Sequence, residues 1–117
     1  MRRFALSLIA ALALASPAFA IGDTPLQPLP GTAQYNLSFS GSQTLTVPNI
    51  ASMLVTNVCV DGSNAVRYTS DGTAASATVG ISLAVGQCAL FYGGAVAGAL
   101  KFYPVSGTAT INVEYYK

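Results

Sequence analysis

The chain has no histidine and no tryptophan, and only 8% of its 117 residues are charged. Without histidine, the usual general base and the commonest metal ligand are missing, which excludes serine triads of the ordinary kind. The four acidic residues, Asp23, Asp61, Asp71 and Glu114, leave little for carboxylate chemistry. Asp61-Gly62 and Asp71-Gly72 both read as hairpin turns, where Asp and Gly suit tight backbone geometry. A glycosidase-type pair would have to be assembled from Asp61, Asp71 and Glu114, and the turn reading already accounts for two of them. Asp61, Ser63 and Asn64 offer oxygens to calcium, but the EF-hand spacing and its terminal glutamate are absent. Two cysteines alone make no zinc site. The Gly93-Gly94 to Gly98 stretch lacks the lysine and following helix of a phosphate-binding loop, and reads as a flexible connection. The sequence therefore predicts no enzyme, no catalytic residue, no metal and no cofactor.

What is present begins with an export signal. Met1-Arg2-Arg3 forms a positive start, Phe4 to Ala15 is apolar except for Ser7, Pro17 breaks the run, and Ala18-Phe19-Ala20 supplies small residues before a cleavage point. Residues 1–20 are thus expected to be removed. The run is too short for a membrane span, which needs about 20 apolar residues, so no stable span is expected after cleavage. The expected location is across the inner membrane: periplasmic, extracellular or surface-associated.

Loss of Arg2 and Arg3 reduces the five cations to three, Arg67, Lys101 and Lys117, against four acids. No basic patch remains to neutralise phosphates, which excludes nucleic acid as a partner. So few like charges favour association, so a homo-oligomer or a larger protein assembly is the expected partner. Cys59 and Cys88 both fall in predicted strands, and an oxidising destination favours a bridge between them over two buried thiols.

Residues 21–33 carry Pro25, Pro28 and Pro30, a composition that favours an extended arm. Leu26 and Leu29 are its candidate anchors. The arm reads equally as a loose leader or as a strap lying along a neighbouring subunit. From residue 34 to 117 the period is two and the punctuation is Gly, Asn, Asp and Ser. Gln34–Ser40 and Gln43–Val47 read as a first hairpin turning at Gly41-Ser42. Ser52–Val60 is apolar on both sides, as expected of a central strand covered on both faces. Ala65–Thr69, Thr78–Val85, Gln87–Tyr92, Ala99–Val105 and Thr108–Tyr116 follow. About seven or eight short strands and essentially no helix predict an all-β fold, a small antiparallel β-sandwich or jelly-roll-like barrel. Tyrosine is frequent, and amphipathic rings suit interfaces. Tyr103 and Tyr116 alternate with residues assigned to the core and are expected to face outward, with Lys101 on the parity of Tyr103.

The segments Arg67-Tyr68-Thr69-Ser70-Asp71-Gly72-Thr73, Val79-Gly80-Ile81 with Leu83 to Gly86, and Val105-Ser106-Gly107-Thr108-Ala109-Thr110-Ile111-Asn112-Val113 carry a resemblance. Over about residues 55–116 the chain resembles small β-rich proteins of tailed-phage and prophage virion gene clusters. That resemblance implies a β-sandwich of capsid-decorating or fibre-associated type. The export signal and the cysteines depart from the pattern of a particle assembled in the cytoplasm. Together these readings predict a non-enzymatic, exported structural or interaction module that self-associates or decorates a larger assembly. The alternative is a secreted glycan-binding sandwich, with tyrosines stacking on sugars and Asp61, Asn64 and Asp71 bonding their hydroxyls.

Overall fold

Alternation of apolar and polar residues forces a strand to bury one face, and residues 34–117 repeat that pattern in several segments. The computed structural model describes residues 25–47 and 53–117. The signal read at residues 1–20, the first four residues of the arm, the Pro48-Asn49 strand end and Ser52 lie outside them. In chain order the elements are β1 (Gln34–Phe39), β2 (Gln43–Thr44), β3 (Val55–Asp61), β4 (Val66–Thr69), β5 (Ile81–Leu83), β6 (Cys88–Tyr92), α1 (Gly94–Ala99), β7 (Lys101–Pro104) and β8 (Ala109–Tyr116).

The strands form two antiparallel four-stranded sheets, β1-β8-β3-β6 and β2-β7-β4-β5. The pairing has a simple rule: β1 pairs with β8, β2 with β7, β3 with β6 and β4 with β5. First meets last, second meets second-last, and successive pairs alternate between sheets. That is one long hairpin rolled into a sandwich, the jelly-roll arrangement. The small all-β sandwich read from the sequence is the fold.

Three local expectations are corrected. β1 and β2 are not a hairpin, since they lie in different sheets. A two-residue hairpin turn needs positive φ at its glycine, and Gly41 is not among the positive-φ residues; the chain crosses between sheets there instead. β3 is central, between β8 and β6, but its outer face is covered fully only at Val55, which is 3% exposed. Thr56, Val58 and Val60 are buried, while Asn57 and Cys59 are half-buried and Asp61 exposed on the other side. A two-layer sandwich has no third layer over its outer faces, and Val55 is buried between its row neighbours Tyr92 and Tyr116. The Gly93 to Gly98 stretch is not merely a loop: it contains the six-residue helix α1, which follows Gly93 at φ 92° and buries Ala97.

The core fills the space between the sheets. Val58, Ile111 and Val113 from one sheet meet Val66 and Phe102 from the other, with Leu100 at the end of α1, all at 0% exposure. Burying each such side chain contributes about 1.5–3 kcal/mol, so these few residues account for much of the driving force. Tyr68 reaches across from β4 to meet Phe91 of β6 edge to face, with ring centroids 5.0 Å apart. The loop before β5 is held equally closely. Arg67 donates from Nε to the Ala77 carbonyl and from a terminal nitrogen to that of Gly80, both at 2.9 Å. Gly80 has φ +120°, and a Cβ there would stand 2.8 Å from the Tyr68 carbonyl oxygen. Only glycine fits this approach.

The described part of the arm pairs with the end of the chain. Gln27 and Lys117 exchange backbone hydrogen bonds at 3.0 Å, and the Leu29 N–H donates to the Tyr115 carbonyl at 2.8 Å. The arm thus extends the β1 edge along β8 of its own chain, which neither the loose-leader nor the neighbouring-subunit reading had described.

Candidate functional site

The outer face of the β1-β8-β3-β6 sheet gathers polar and aromatic side chains that the core rejects. Even-numbered residues of β8, from Thr110 to Tyr116, point to it, because Ala109, Ile111, Val113 and Tyr115 are buried. On β3 the same face carries Val55, Asn57 and Cys59, and on β6 it carries Cys88, Leu90 and Tyr92. Cross-strand register sets these in rows: Tyr92, Val55 and Tyr116; Leu90, Asn57 and Glu114; Cys88, Cys59 and Asn112.

An irregularity in β1 shapes one side of the face. The register between β1 and β8 shifts between Gln34 and Leu37. Asn36 sits there at φ 55°, a left-handed conformation that Asn tolerates better than most residues. Its N–H donates to Asn112 Oδ1 at 2.8 Å. The bulge lets Tyr35 lean over the sheet so that its hydroxyl donates to Glu114 Oε1 at 3.0 Å. Tyr116 donates to Glu114 Oε2 at 2.6 Å from the other side. Hydrogen bonds from Tyr116, then Tyr35, and a smaller one from Asn57 hold the Glu114 carboxyl below the ordinary range. The same bonds raise both phenols. Asn112 donates onward from Nδ2 to Asp61 Oδ2 at 3.3 Å.

These residues enclose an open depression of about 410 Å³, lined by Tyr35, Asn36, Asn57, Cys59, Asn112 and Glu114. Its floor is one carboxylate and three carboxamides, and no cation lines it. Its groups can hydrogen-bond a ligand, and its one carboxylate already accepts from two phenols. Among the described residues no three His, Cys, Asp or Glu side chains cluster as metal ligands would. Beside the depression, Leu90 and Tyr92 are 55% and 68% exposed on the edge strand β6.

Cys59 and Cys88 are bridged, joining β3 to β6 directly across the register with Cα atoms 4.0 Å apart. The bridge lies on the same outer face, at the border of the depression. The other residues singled out from sequence are scattered. Tyr116 is half-buried on this face, whereas Tyr103 and Lys101 are half-buried on the outer side of the opposite sheet, where Lys101 donates to Thr44 Oγ1 at 3.2 Å. Leu29 packs against the core, and Leu26 is half-exposed at 50%. Asn64 ties two turns together, donating to the Thr108 carbonyl at 2.8 Å and accepting from Ser106 at 3.3 Å. Asp71 accepts from the Thr73 N–H at 3.0 Å, which lowers its carboxyl. It lies at the far end of β4 from Asp61 and Asn64, so that trio forms no single site.

Tyr35, Asn36, Asn57, Asn112, Leu90 and Tyr92 were not singled out from sequence as a group. Strand parity did not separate all of them from the core, since Tyr35 shares the parity of Leu37 and Phe39, and nothing local signals that four strands bring them together. Comparison with protein-family models, curated proteins and solved structures gives no match for this chain. Among the described residues no helix is long and apolar enough to cross a membrane.

Proposed function

We propose that the protein is a non-enzymatic, exported structural module that self-associates or decorates a larger assembly, docking through the outer face of the β1-β8-β3-β6 sheet. The observation that carries this reading is the pair Leu90 and Tyr92, 55% and 68% exposed on an unpaired edge strand. A large apolar side chain and an aromatic ring side by side at a sheet edge favour burial against another surface. The scarcity of charge removes the repulsion that would keep copies apart. The disulfide is compatible with an oxidising compartment and hence with the export signal. The resemblance of residues 55–116 to virion-associated β proteins supports the same role.

Native mass spectrometry of the oxidised protein, started at Ile21, tests the reading across a range of concentrations. The expected result is a defined oligomer or filament that reverts to monomer in the double variant Leu90→Asp/Tyr92→Asp. A strict monomer that also fails to attach to any particle or surface overturns it.

A further inference from the structure

The depression lies on the same face as Leu90 and Tyr92 but on the other side of β3, and its lining is of a different kind. An apolar partner surface would leave the Asn36 and Asn57 carboxamides short of partners and would strip water from the Glu114 carboxylate, at a cost of about 1–3 kcal/mol for each buried group. A phosphate, sulfate or acidic sugar would meet the Glu114 carboxylate with no cation in the lining to offset it, because Arg67 and Lys101 belong to the opposite sheet and Lys117 does not line the depression. A hard cation would need about six to eight oxygen ligands, and the single carboxylate has both oxygens engaged by phenols.

What remains is a neutral ligand rich in groups that both donate and accept. The lining supplies matching groups. Glu114 accepts from two phenols and more weakly from Asn57, which leaves it acceptor capacity, and the carboxamides of Asn36 and Asn57 offer donors and acceptors together. Tyr35 adds a ring that is 62% exposed yet fixed in place by its hydroxyl bond to Glu114. A ring held in advance loses little freedom when a flat apolar surface settles on it. Axial C–H groups on one side and hydroxyls at the edge are the features of a pyranose. We propose that the depression lined by Tyr35, Asn36, Asn57, Asn112 and Glu114 binds a neutral saccharide, one or two residues long. Its volume of about 410 Å³ is at the lower end of small-ligand sites, and its open shape implies weak single-site affinity that repetition in an oligomer would raise. The inference rests on the proposed attachment role of this face and gives that role a chemical partner.

The test is a nuclear magnetic resonance titration of the oxidised protein with neutral hexoses, N-acetylhexosamines and their disaccharides, with a sialylated sugar and inorganic phosphate in parallel. A neutral sugar is expected to shift the resonances of Tyr35, Asn57, Asn112 and Glu114 with saturation. Tyr35→Ala and Asn57→Ala are each expected to weaken that binding at least about fivefold, the loss of one aromatic or hydrogen-bonded contact, with folding checked by unchanged shifts of the core methyls. The Leu90→Asp/Tyr92→Asp variant is expected to retain sugar binding while losing self-association. Absence of binding by every neutral sugar, preference for the anionic ligands, or binding indifferent to both Tyr35→Ala and Asn57→Ala overturns the inference. Oligomers without sugar binding would end it and leave the assembly reading standing, whereas sugar binding by a strict monomer would do the reverse to self-association.

Discussion

The two outer faces of the sandwich are built from the same strand pattern and end in opposite states. On the β2-β7-β4-β5 sheet, outward groups are used within the chain. Arg67 clamps the loop through the Ala77 and Gly80 carbonyls, Lys101 bonds Thr44, and Thr69 donates to the Thr73 carbonyl. On the β1-β8-β3-β6 sheet, Tyr35, Leu90 and Tyr92 are left exposed around a polar depression, and a covalent bridge holds the strands beneath them. One face is closed upon itself and the other is kept open but stiff. The lesson concerns motifs: the most recognisable residues, Arg67 to Thr73 and Gly80, serve the closed face and explain folding. The open face, where binding chemistry collects, is assembled from residues with no local signature.

If the bridge is what allows the open face to stay uncovered, removing it should have the largest effect. It closes a segment of 29 residues. Cys59→Ser/Cys88→Ser is expected to lose about 3–4 kcal/mol in chemical denaturation, with amide exchange rising first along β6. A loss under about 1 kcal/mol would show that the pairing of β3 with β6 suffices alone, and the contrast between the faces would weaken.

The closed face is broken next. Gly80→Ala puts a methyl group against the Tyr68 carbonyl in a backbone conformation alanine avoids, and should cost about 2 kcal/mol or more. Arg67→Ala should cost less, about 1–2 kcal/mol, since water can replace part of what a half-exposed guanidinium provides. Both should leave sugar titrations and self-association unchanged, because neither residue touches the open face. Coupled loss of binding in either variant would mean that the faces communicate through the core.

Strand parity made the sandwich legible in the sequence, and in β8 it separates Ala109, Ile111, Val113 and Tyr115 from their neighbours without error. Cys59 and Cys88 were legible as a pair because the chain has only two cysteines and an export signal. Pairing was not legible where it is long-range. β1 next to β2 in sequence resembled a hairpin, yet β1 finds β8, some seventy residues away, since alternation specifies which side of a strand is buried and not which strand lies beside it. The candidate site was hidden for the same reason. Tyr35 and Glu114 meet only because the first and last strands pair, and a bulge at Asn36 that no turn motif announces lets the tyrosine reach the carboxylate.

The smallest expected effect separates the faces by pH. Glu114 on the open face and Asp71 in the turn beside the closed one both have lowered carboxyl groups, but for different reasons: side-chain phenols in the first case and the Thr73 backbone N–H in the second. A carboxyl whose folded value is lowered contributes stability above its ordinary value, and that contribution fades as pH falls through the folded one. Melting temperature should therefore decline as the solution is acidified below the ordinary values of 4.5 for Glu114 and 3.8 for Asp71. Glu114→Gln should flatten part of that decline, and Asp71→Asn a separate part. The two differ at the alkaline end. Tyr35 and Tyr116 are raised by Glu114 above the ordinary 10.0, so their bonds to it contribute fully below that value and are lost as pH climbs through the raised ones. Only the open face has this second limb, and Glu114→Gln should lower the ultraviolet titration midpoint of the two phenols while Asp71→Asn leaves it in place. An unchanged midpoint in Glu114→Gln would mean that Tyr35 is not held by the carboxylate in solution, and the fixed ring on which the open face depends would be lost with it.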